Sequence, residues 1–242
     1  MTTRDWPDYN APVGAVDLSP INDLGELLAR LGIPAGVDRR GQAVGWYAFD
    51  GSYRGFIKST STEINDWVRL NTLYAEVAPT CLELSLSAVS SSFAIIHRDF
   101  PGYYGARVGV ETGLLWPNQG VLVYIFSSIG SPTLPLTGAI RIDTTLHTVS
   151  YLSAAEGWVA LSPVSGGALT VETWYPAKLV IDAATGRYVR FSLGANVWEF
   201  NALMGASSFD EQIWRVTLDV RNQTPAIHKL YCGYVALTVN EP

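Results

Sequence analysis

The composition of the chain argues against two large classes of function. Its 242 residues carry a net charge of −6, and only 16% of them are charged, against roughly 25% in an average globular protein. Arg39-Arg40 is the only adjacent basic pair, so we expect no nucleic-acid partner. No apolar run approaches the ~20 residues of a membrane-spanning helix, so we expect no membrane partner.

The apolar content of 48% is high for so few charges, and 12% of the residues are aromatic. We interpret this as a surface that is largely covered by other subunits. A β-domain with a neutral surface is the alternative.

The first 18 residues are predicted to form an extended arm, because Pro7, Pro12 and Gly14 interrupt any regular element. The opening residues have no apolar core behind Arg4, so we expect no secretory signal. Trp6 and Tyr9 lie in this arm, where no local core surrounds them. Because such rings dominate interface hot spots, we expect both to bind in a pocket of a neighbouring subunit.

A short helix is predicted to follow the arm. Ser19 is suited to cap it, Pro20 fits its first position, and Gly32 followed by Pro34 ends it. Its apolar residues follow the three-four-three spacing of a helix–helix contact. A helix this short is not stable alone, so we expect it to dock on its own sandwich or on a neighbouring subunit. The predicted interface residues are Trp6, Tyr9, Ile21, Leu24, Leu28 and Leu31.

From residue 42 onwards, apolar and polar residues alternate in short runs that end at Gly, Pro, Asp, Ser or Thr. This alternation is typical of strands with one buried face and one face in solvent. It predicts one antiparallel β-sandwich over residues 42–242, behind an arm-and-helix region of residues 1–41. The strands are predicted near residues 43–49, 67–76, 81–89, 93–98, 105–112, 120–127, 138–143, 147–152, 157–161, 171–182, 187–193, 196–200, 213–221 and 230–239.

One hairpin is predicted in more detail. Its two strands are joined by Ala183-Ala-Thr-Gly186, where Gly186 supplies the positive φ that such a loop needs. The residues predicted to share this hairpin are Trp174, Leu179, Ile181, Tyr188 and Phe191.

The segment Lys178-Leu-Val-Ile-Asp-Ala-Ala-Thr-Gly-Arg-Tyr-Val-Arg190, with Trp174 before it and residues 234–242 at the end, resembles the concanavalin A-like lectin/glucanase class. The chain is similar in particular to uncharacterised members encoded by tailed bacteriophages and prophages. The opening Thr3-Arg-Asp-Trp-Pro-Asp-Tyr9 and the turn Asp38-Arg-Arg-Gly41 also resemble those proteins. The resemblance implies a jelly-roll sandwich over nearly the whole chain.

Metal ligands are sparse. Many lectin-like relatives have Tyr-x-Asp-Asn near the last strand, but this chain has Tyr231-Cys-Gly-Tyr234 and lacks the acidic ligand of a calcium site. His97, His147 and His228 are too far apart in sequence for a typical zinc site. We therefore expect no metal and no cofactor.

The two cysteines, Cys81 and Cys232, are too few for a disulfide framework. We expect two buried thiols. Since the first and last strands of a sandwich are often neighbours, a disulfide between them is the alternative.

Residues for catalysis do not occur at a spacing that a known reaction needs. Retaining glycosidases of this class have a Glu-x-Asp-x-x-Glu strand, and the chain contains no such string. Glu63 and Asp66 are three residues apart and the other acids are scattered, and there is no Gly-x-Ser-x-Gly motif for a nucleophilic serine. We therefore predict that the chain is not an enzyme and has no catalytic residues.

The loop Trp116-Pro-Asn-Gln-Gly120 is the candidate glycan site. A tryptophan ring beside amides is suited to stack on a sugar while Asn118 and Gln119 bind its hydroxyls. The alternative is that Trp116 folds back over the end of the sandwich.

Together these features predict a non-enzymatic structural or surface protein of a phage-like particle, located in the virion as a capsid decoration, neck or tail protein. It would assemble through its N-terminal region as a homo-oligomer or on a capsid or tail subunit. The first alternative is a lectin-like module that binds a cell-surface glycan. A divergent glycoside hydrolase is the second alternative.

Overall fold

The computed structural model describes residues 41–49, 51–74, 80–101, 107–130, 135–155, 157–161, 169–206 and 213–242. The predicted arm and helix lie outside these ranges, so the division of the chain into residues 1–41 and 42–242 stays a prediction. Among the described residues, no helix has the length and apolar character needed to cross a membrane. The predicted interface residues Trp6, Tyr9, Ile21, Leu24, Leu28 and Leu31 also lie outside the described part of the chain.

The described residues form sixteen strands in two antiparallel sheets. The first eight are β1 (Gln42–Ala48), β2 (Ile57–Thr60), β3 (Trp67–Asn71), β4 (Cys81–Leu86), β5 (Phe93–Pro101), β6 (Arg107–Leu115), β7 (Val121–Ile129) and β8 (Leu136–Asp143). The others are β9 (Thr148–Leu152), β10 (Trp158–Ala160), β11 (Tyr175–Asp182), β12 (Arg187–Leu193), β13 (Asn196–Glu199), β14 (Gly205–Ala206), β15 (Ile213–Asn222) and β16 (His228–Val239).

Sheet A has the strand order β13-β12-β11-β6-β16-β4-β3, and β1 pairs with the C-terminal part of β16. Sheet B has the order β10-β9-β8-β7-β15-β5-β2, and β14 pairs with β8. The inner faces of the two sheets enclose one large apolar core. The predicted antiparallel β-sandwich is therefore confirmed.

Alternation of side chains explains how the strands pack. In β15, positions 214, 216, 218 and 220 hold Trp, Val, Leu and Val, and all four side chains belong to the core. The residues between them, at positions 215, 217, 219 and 221, are Arg, Thr, Asp and Arg and point away from it, because successive side chains of a strand alternate.

The predicted hairpin is confirmed as β11 and β12. Gly186 has a φ of +68°, a conformation that L side chains rarely adopt. Asp182 stabilises the turn, since its Oδ1 accepts hydrogen bonds from the backbone N–H groups of Ala184 and Thr185, both at 3.0 Å. Trp174 lies just before β11 and is half-buried.

Two short strands were not expected from the sequence. β2 has four residues and β14 has two, and Ile57 in β2 is 57% exposed. Both pair on only one side, where little apolar surface is buried, so no alternation marks them. The structure also ends β3 at Asn71 and begins β11 at Tyr175, which shortens two predicted strands.

The two cysteines are buried thiols, as expected, and no disulfide joins them. Cys232 pairs in register with Leu82, and Cys81 is the next residue along β4. The two side chains therefore point to opposite faces of sheet A. Cys232 packs in the core, whereas Cys81 contacts Leu115 and Tyr231 on the outer face, and the alternative of a disulfide is not realised.

Candidate functional site

The structure contradicts the prediction that Trp116 stacks on a glycan. Its side chain is 0% exposed, and its ring is stacked on Tyr175 with a centroid distance of 5.0 Å and an interplanar angle of 6°. Strand β6 ends at Leu115, and Trp116, the next residue, packs in the core. The alternative, a ring folded back over the sandwich, is the one that the structure bears out.

Asn118 and Gln119 lie exposed in the loop after Trp116. The Asn118 side chain contacts His228 Nδ1 at 3.2 Å, and Gln119 Nε2 lies 3.4 Å from His147 Nε2. These contacts tie the loop to the neighbouring turns. A glycan-binding role for the two amides stays a prediction. The Trp116 ring cannot contribute to it, because that ring is buried.

The outer face of sheet A is buried although it is charged. Lys178 and Arg190 are 1% and 3% exposed, and both contact the Glu241 carboxylate, at 2.7 Å from Lys178 Nζ and 3.0 Å from Arg190 Nη2. Glu111 is also buried and accepts a hydrogen bond from the Tyr234 hydroxyl at 3.0 Å. Because these groups are buried and paired with each other, we interpret them as structural.

The outer face of sheet B is open by comparison. We call its central part the open face and define it by six residues on four strands. Register places Arg141, Tyr124 and Asp219 side by side across β8, β7 and β15. The six residues of the open face are Tyr124, Phe126, Arg141, Trp158, Asp219 and Arg221.

Three aromatic rings lie together on the open face. Tyr124 is stacked on Phe126 at 6.0 Å between centroids and 13° between planes, and its ring lies 5.4 Å from that of Trp158. Phe126 and Trp158 are half-buried, so each keeps part of its ring in contact with solvent. The guanidinium of Arg141 lies 4.9 Å from the Trp158 ring centroid, a cation–π contact.

Two buried polar atoms of the open face lack a hydrogen-bond partner among the described residues. Asp219 is 2% exposed, and its Oδ2 accepts hydrogen bonds from Arg221 at 2.8 Å and 3.0 Å, while its Oδ1 accepts none. The Nε of Arg141 is the second such atom. Burial raises the pKa of Asp219, and the Arg221 guanidinium opposes that shift. A buried polar atom without a partner calls for an explanation, such as an ordered water or a bound ligand.

The next charged groups on the same sheet form an internal pair. Arg215 binds Asp99 with two hydrogen bonds, of 2.5 Å and 2.6 Å, and these bonds lower the pKa of the Asp99 carboxyl. Burial, assisted by the nearby Arg215, lowers the pKa of His97. These three residues flank the open face with their charges already balanced.

A cleft of about 460 Å³ lies elsewhere, beside the β11–β12 turn. Both of its arginines are engaged: Arg107 pairs with Asp182 at 3.6 Å, and Arg187 donates to the backbone oxygen of Asn201 at 2.9 Å. No group of three or more His, Cys, Asp or Glu side chains in the described part of the chain is placed to hold a metal ion. The open face is therefore the better candidate site.

Sequence reasoning missed the open face for an identifiable reason. It placed the candidate glycan site in the loop at residues 116–120 and predicted the strand near residues 120–127 without asking which side chains point outwards. The outward positions of that strand are Leu122, Tyr124 and Phe126, so β7 is apolar on both faces. An apolar outward face in a central strand was the available signal.

The pH dependence of stability tests the Asp219 environment. A raised pKa means that the folded state holds its proton longer than the unfolded state, so ionisation of Asp219 destabilises the fold as the pH rises above its ordinary range of about 4. We therefore expect the free energy of unfolding of Asp219→Asn, relative to that of the wild type, to increase between about pH 3 and about pH 7. Urea denaturation at a series of pH values measures the difference.

Asp99→Asn is the matched control, for which we expect the stability difference from the wild type to change with pH in the opposite direction. Its carboxyl has a lowered pKa, so the wild type should gain stability relative to Asp99→Asn over the same rise in pH, and lose that gain in acid. A difference between Asp219→Asn and wild type that does not change with pH would contradict the buried, partly unpaired carboxylate.

The sequence matches no protein-family model and no curated protein. Solved structures do match. They include a carbohydrate esterase from the Shiga toxin-encoding bacteriophage phi24B (TM-score 0.56, 12% identity, 81% of this chain and 97% of that chain). A second is endo-β-1,4-glucuronan lyase from the fungus Trichoderma reesei (TM-score 0.55, 10% identity, 82% and 96%). A third is the metal-free form of lectin I-B4 from Griffonia simplicifolia (TM-score 0.52, 10% identity, 79% and 96%).

At these identities the similarity shows the fold, which is the jelly-roll sandwich of the concanavalin A-like lectins and glucanases. Another similar structure is a sialidase, with a TM-score of 0.54 and 10% identity over 86% of this chain. The chain spans only 19% of the length of that sialidase.

These structures correct the prediction that the chain is not an enzyme. The esterase and the lyase have this fold, and so does a structure named Crh5 transglycosylase (TM-score 0.51, 15% identity). A fold that carries such enzymes gives no ground for a strictly non-enzymatic protein, so the prediction was wrong. The missing Glu-x-Asp-x-x-Glu strand excludes one arrangement of carboxylates, not catalysis in general.

Proposed function

We propose that the chain binds carbohydrate on the open face of sheet B. The observation that carries this proposal is the combination, on one outward face, of half-buried aromatic rings with buried polar atoms that lack partners. Phe126 and Trp158 offer the rings, and Asp219 and Arg141 offer the polar atoms.

The chemistry of a sugar fits both kinds of group. The C–H faces of a pyranose are apolar and pack on an aromatic ring, while its hydroxyls need hydrogen-bond partners. Asp219 Oδ1 is a free acceptor and Arg141 is a donor. An unpaired buried oxygen costs stability, so a hydroxyl that donates to Asp219 gains more than one that binds an exposed carboxylate.

The spacing also suits a sugar. Arg141 and Asp219 are separated by Tyr124, and adjacent strands lie about 4.8 Å apart. The two polar side chains therefore start from backbone positions roughly 9–10 Å apart. A sugar lying across β7 would meet the Tyr124 ring between them. Proteins of this fold that are named as a lectin and a carbohydrate esterase support the same class of ligand.

The test is Trp158→Ala. On a glycan array followed by titration of the best ligand, we expect the variant to bind at least about tenfold more weakly, which corresponds to about 1.4 kcal/mol. Circular dichroism checks that the variant is folded. The loss follows from removing the ring that faces the sugar while leaving β7 and β15 intact.

Trp67→Ala is the matched control, because Trp67 is also half-buried and also lies under an arginine, with Arg69 at 5.0 Å from its ring centroid. It lies on the outer face of sheet A, so glycan binding should not change. Absence of binding to any glycan, or equal loss in both variants, would overturn the proposal.

The setting of this binding is a separate proposal. The sequence resemblance to phage-encoded proteins supports a surface protein of a phage-like particle that assembles through its N-terminal region and meets glycans on the host cell. Mass spectrometry of purified particles tests this setting independently of the binding measurements.

A further inference from the structure

We infer that the open face selects an acidic saccharide and that Arg141 binds its carboxylate. The inference rests on the proposed function and adds the class of ligand. It follows from the distribution of ion pairs on the outer face of sheet B.

Arginines on this face differ in whether a carboxylate already neutralises them. Arg215 is held by Asp99 through two hydrogen bonds, and Arg221 is held by Asp219. Arg141 has no carboxylate partner among the described residues. Its guanidinium lies 3.5 Å from the Ser150 hydroxyl and also interacts with the Tyr124 hydroxyl, and both of these groups are uncharged. The open face therefore carries one positive charge that the described residues do not balance.

The environment of Arg141 is that of a binding group and not of a mobile surface arginine. Its side chain is half-buried, its guanidinium packs on the Trp158 ring, and its Nε is buried without a hydrogen bond. Contact with the ring restricts the guanidinium before any ligand arrives. A planar guanidinium forms two parallel hydrogen bonds with a carboxylate, and such bonds are stronger than those to neutral groups.

Asp219 does not oppose an anion at this position. Its carboxylate lies two strands away, and Arg221 already neutralises it through Oδ2. Arg141 and Asp219, on either side of Tyr124, therefore recognise different groups of one ligand. The sugar carboxylate meets Arg141, and a hydroxyl of the same saccharide donates to Asp219 Oδ1. This arrangement describes a uronic or sialic acid residue that lies across Tyr124.

The experiment compares glycans that differ only in the carboxylate. Uronate- and sialate-containing oligosaccharides are printed beside their carboxyl-reduced counterparts and beside sulfated neutral oligosaccharides. We expect the wild type to bind the carboxylated member of each pair at least tenfold more tightly. This preference should weaken when NaCl rises from about 50 mM to about 500 mM, because salt screens the charge.

Arg141→Gln should bind the carboxylated and reduced members equally, and Arg141→Lys should keep part of the preference. Lys58→Gln is the charge-matched control: Lys58 is an exposed cation of edge strand β2, and its loss should leave the preference unchanged.

The possible outcomes distinguish the inference of an acidic ligand from the proposal that the chain binds carbohydrate. Equal binding of both members by the wild type, with Trp158→Ala still weakening it, would overturn the acidic ligand and keep carbohydrate binding. A preference for sulfated over carboxylated glycans would also overturn it. No binding to any printed glycan would overturn the proposed function itself.

Discussion

Replacing Glu241 with alanine is expected to lower the free energy of unfolding by about 3–5 kcal/mol. The Glu241 side chain is fully buried and contacts two buried cations, Lys178 at 2.7 Å and Arg190 at 3.0 Å. Without this carboxylate both cations stay buried with less opposing charge. Glu111 is a second acid near Lys178, but its ion pair with Nζ is 3.9 Å long, beyond a hydrogen bond, so it compensates less than Glu241 does.

Urea denaturation at neutral pH measures this loss. Glu63→Ala is the control, because Glu63 is exposed and its replacement should change the free energy of unfolding by less than about 0.5 kcal/mol. Glu241→Gln keeps the shape and one acceptor and should lie between the two. A loss below about 1 kcal/mol for Glu241→Ala would contradict the buried network, because removing one partner of a buried pair leaves an uncompensated charge.

Periodicity was sufficient to predict the strands that have one covered face. In β15 and β12 the core side needs apolar residues and the turn at Gly186 needs a positive φ, and both requirements are local. Alternation could not reveal the network around Glu241. Glu111, Lys178 and Glu241 lie in three segments that are distant in sequence. Alternation assigns the polar residues of a strand to solvent and does not show that these three meet. Whether an outer face is covered is a tertiary property.

The open face was unpredictable for a related reason. Tyr124, Arg141 and Asp219 become neighbours only through the pairing of β7 with β8 and with β15. Strand pairing between distant segments depends on the whole sheet, and the local alternation of apolar and polar residues does not reveal it. The loop tryptophan was chosen as the candidate glycan-binding ring because its exposure was inferred from its position in a loop. In the structure Trp116 is buried and Trp158, in a strand, is the half-buried one.

Replacing Trp116 with alanine is expected to cost about 3–5 kcal/mol of unfolding free energy, the usual range for removing a buried aromatic side chain. The ring is 0% exposed and stacked on Tyr175, and the described residues give its indole N–H no hydrogen bond, so packing accounts for its contribution. Glycan binding by the fraction that remains folded should be unchanged. Urea denaturation and glycan titration on the same preparation measure both quantities.

Trp158→Ala provides the reciprocal comparison. Its ring is half-buried at an edge strand, so its removal should cost less stability than that of Trp116 and much more binding. Opposite effects of the two substitutions on stability and on binding would distinguish a ring that fills the core from a ring that faces the ligand. If Trp116→Ala instead kept its stability and lost glycan binding, the loop would be the glycan site after all, and the open face would lose its role.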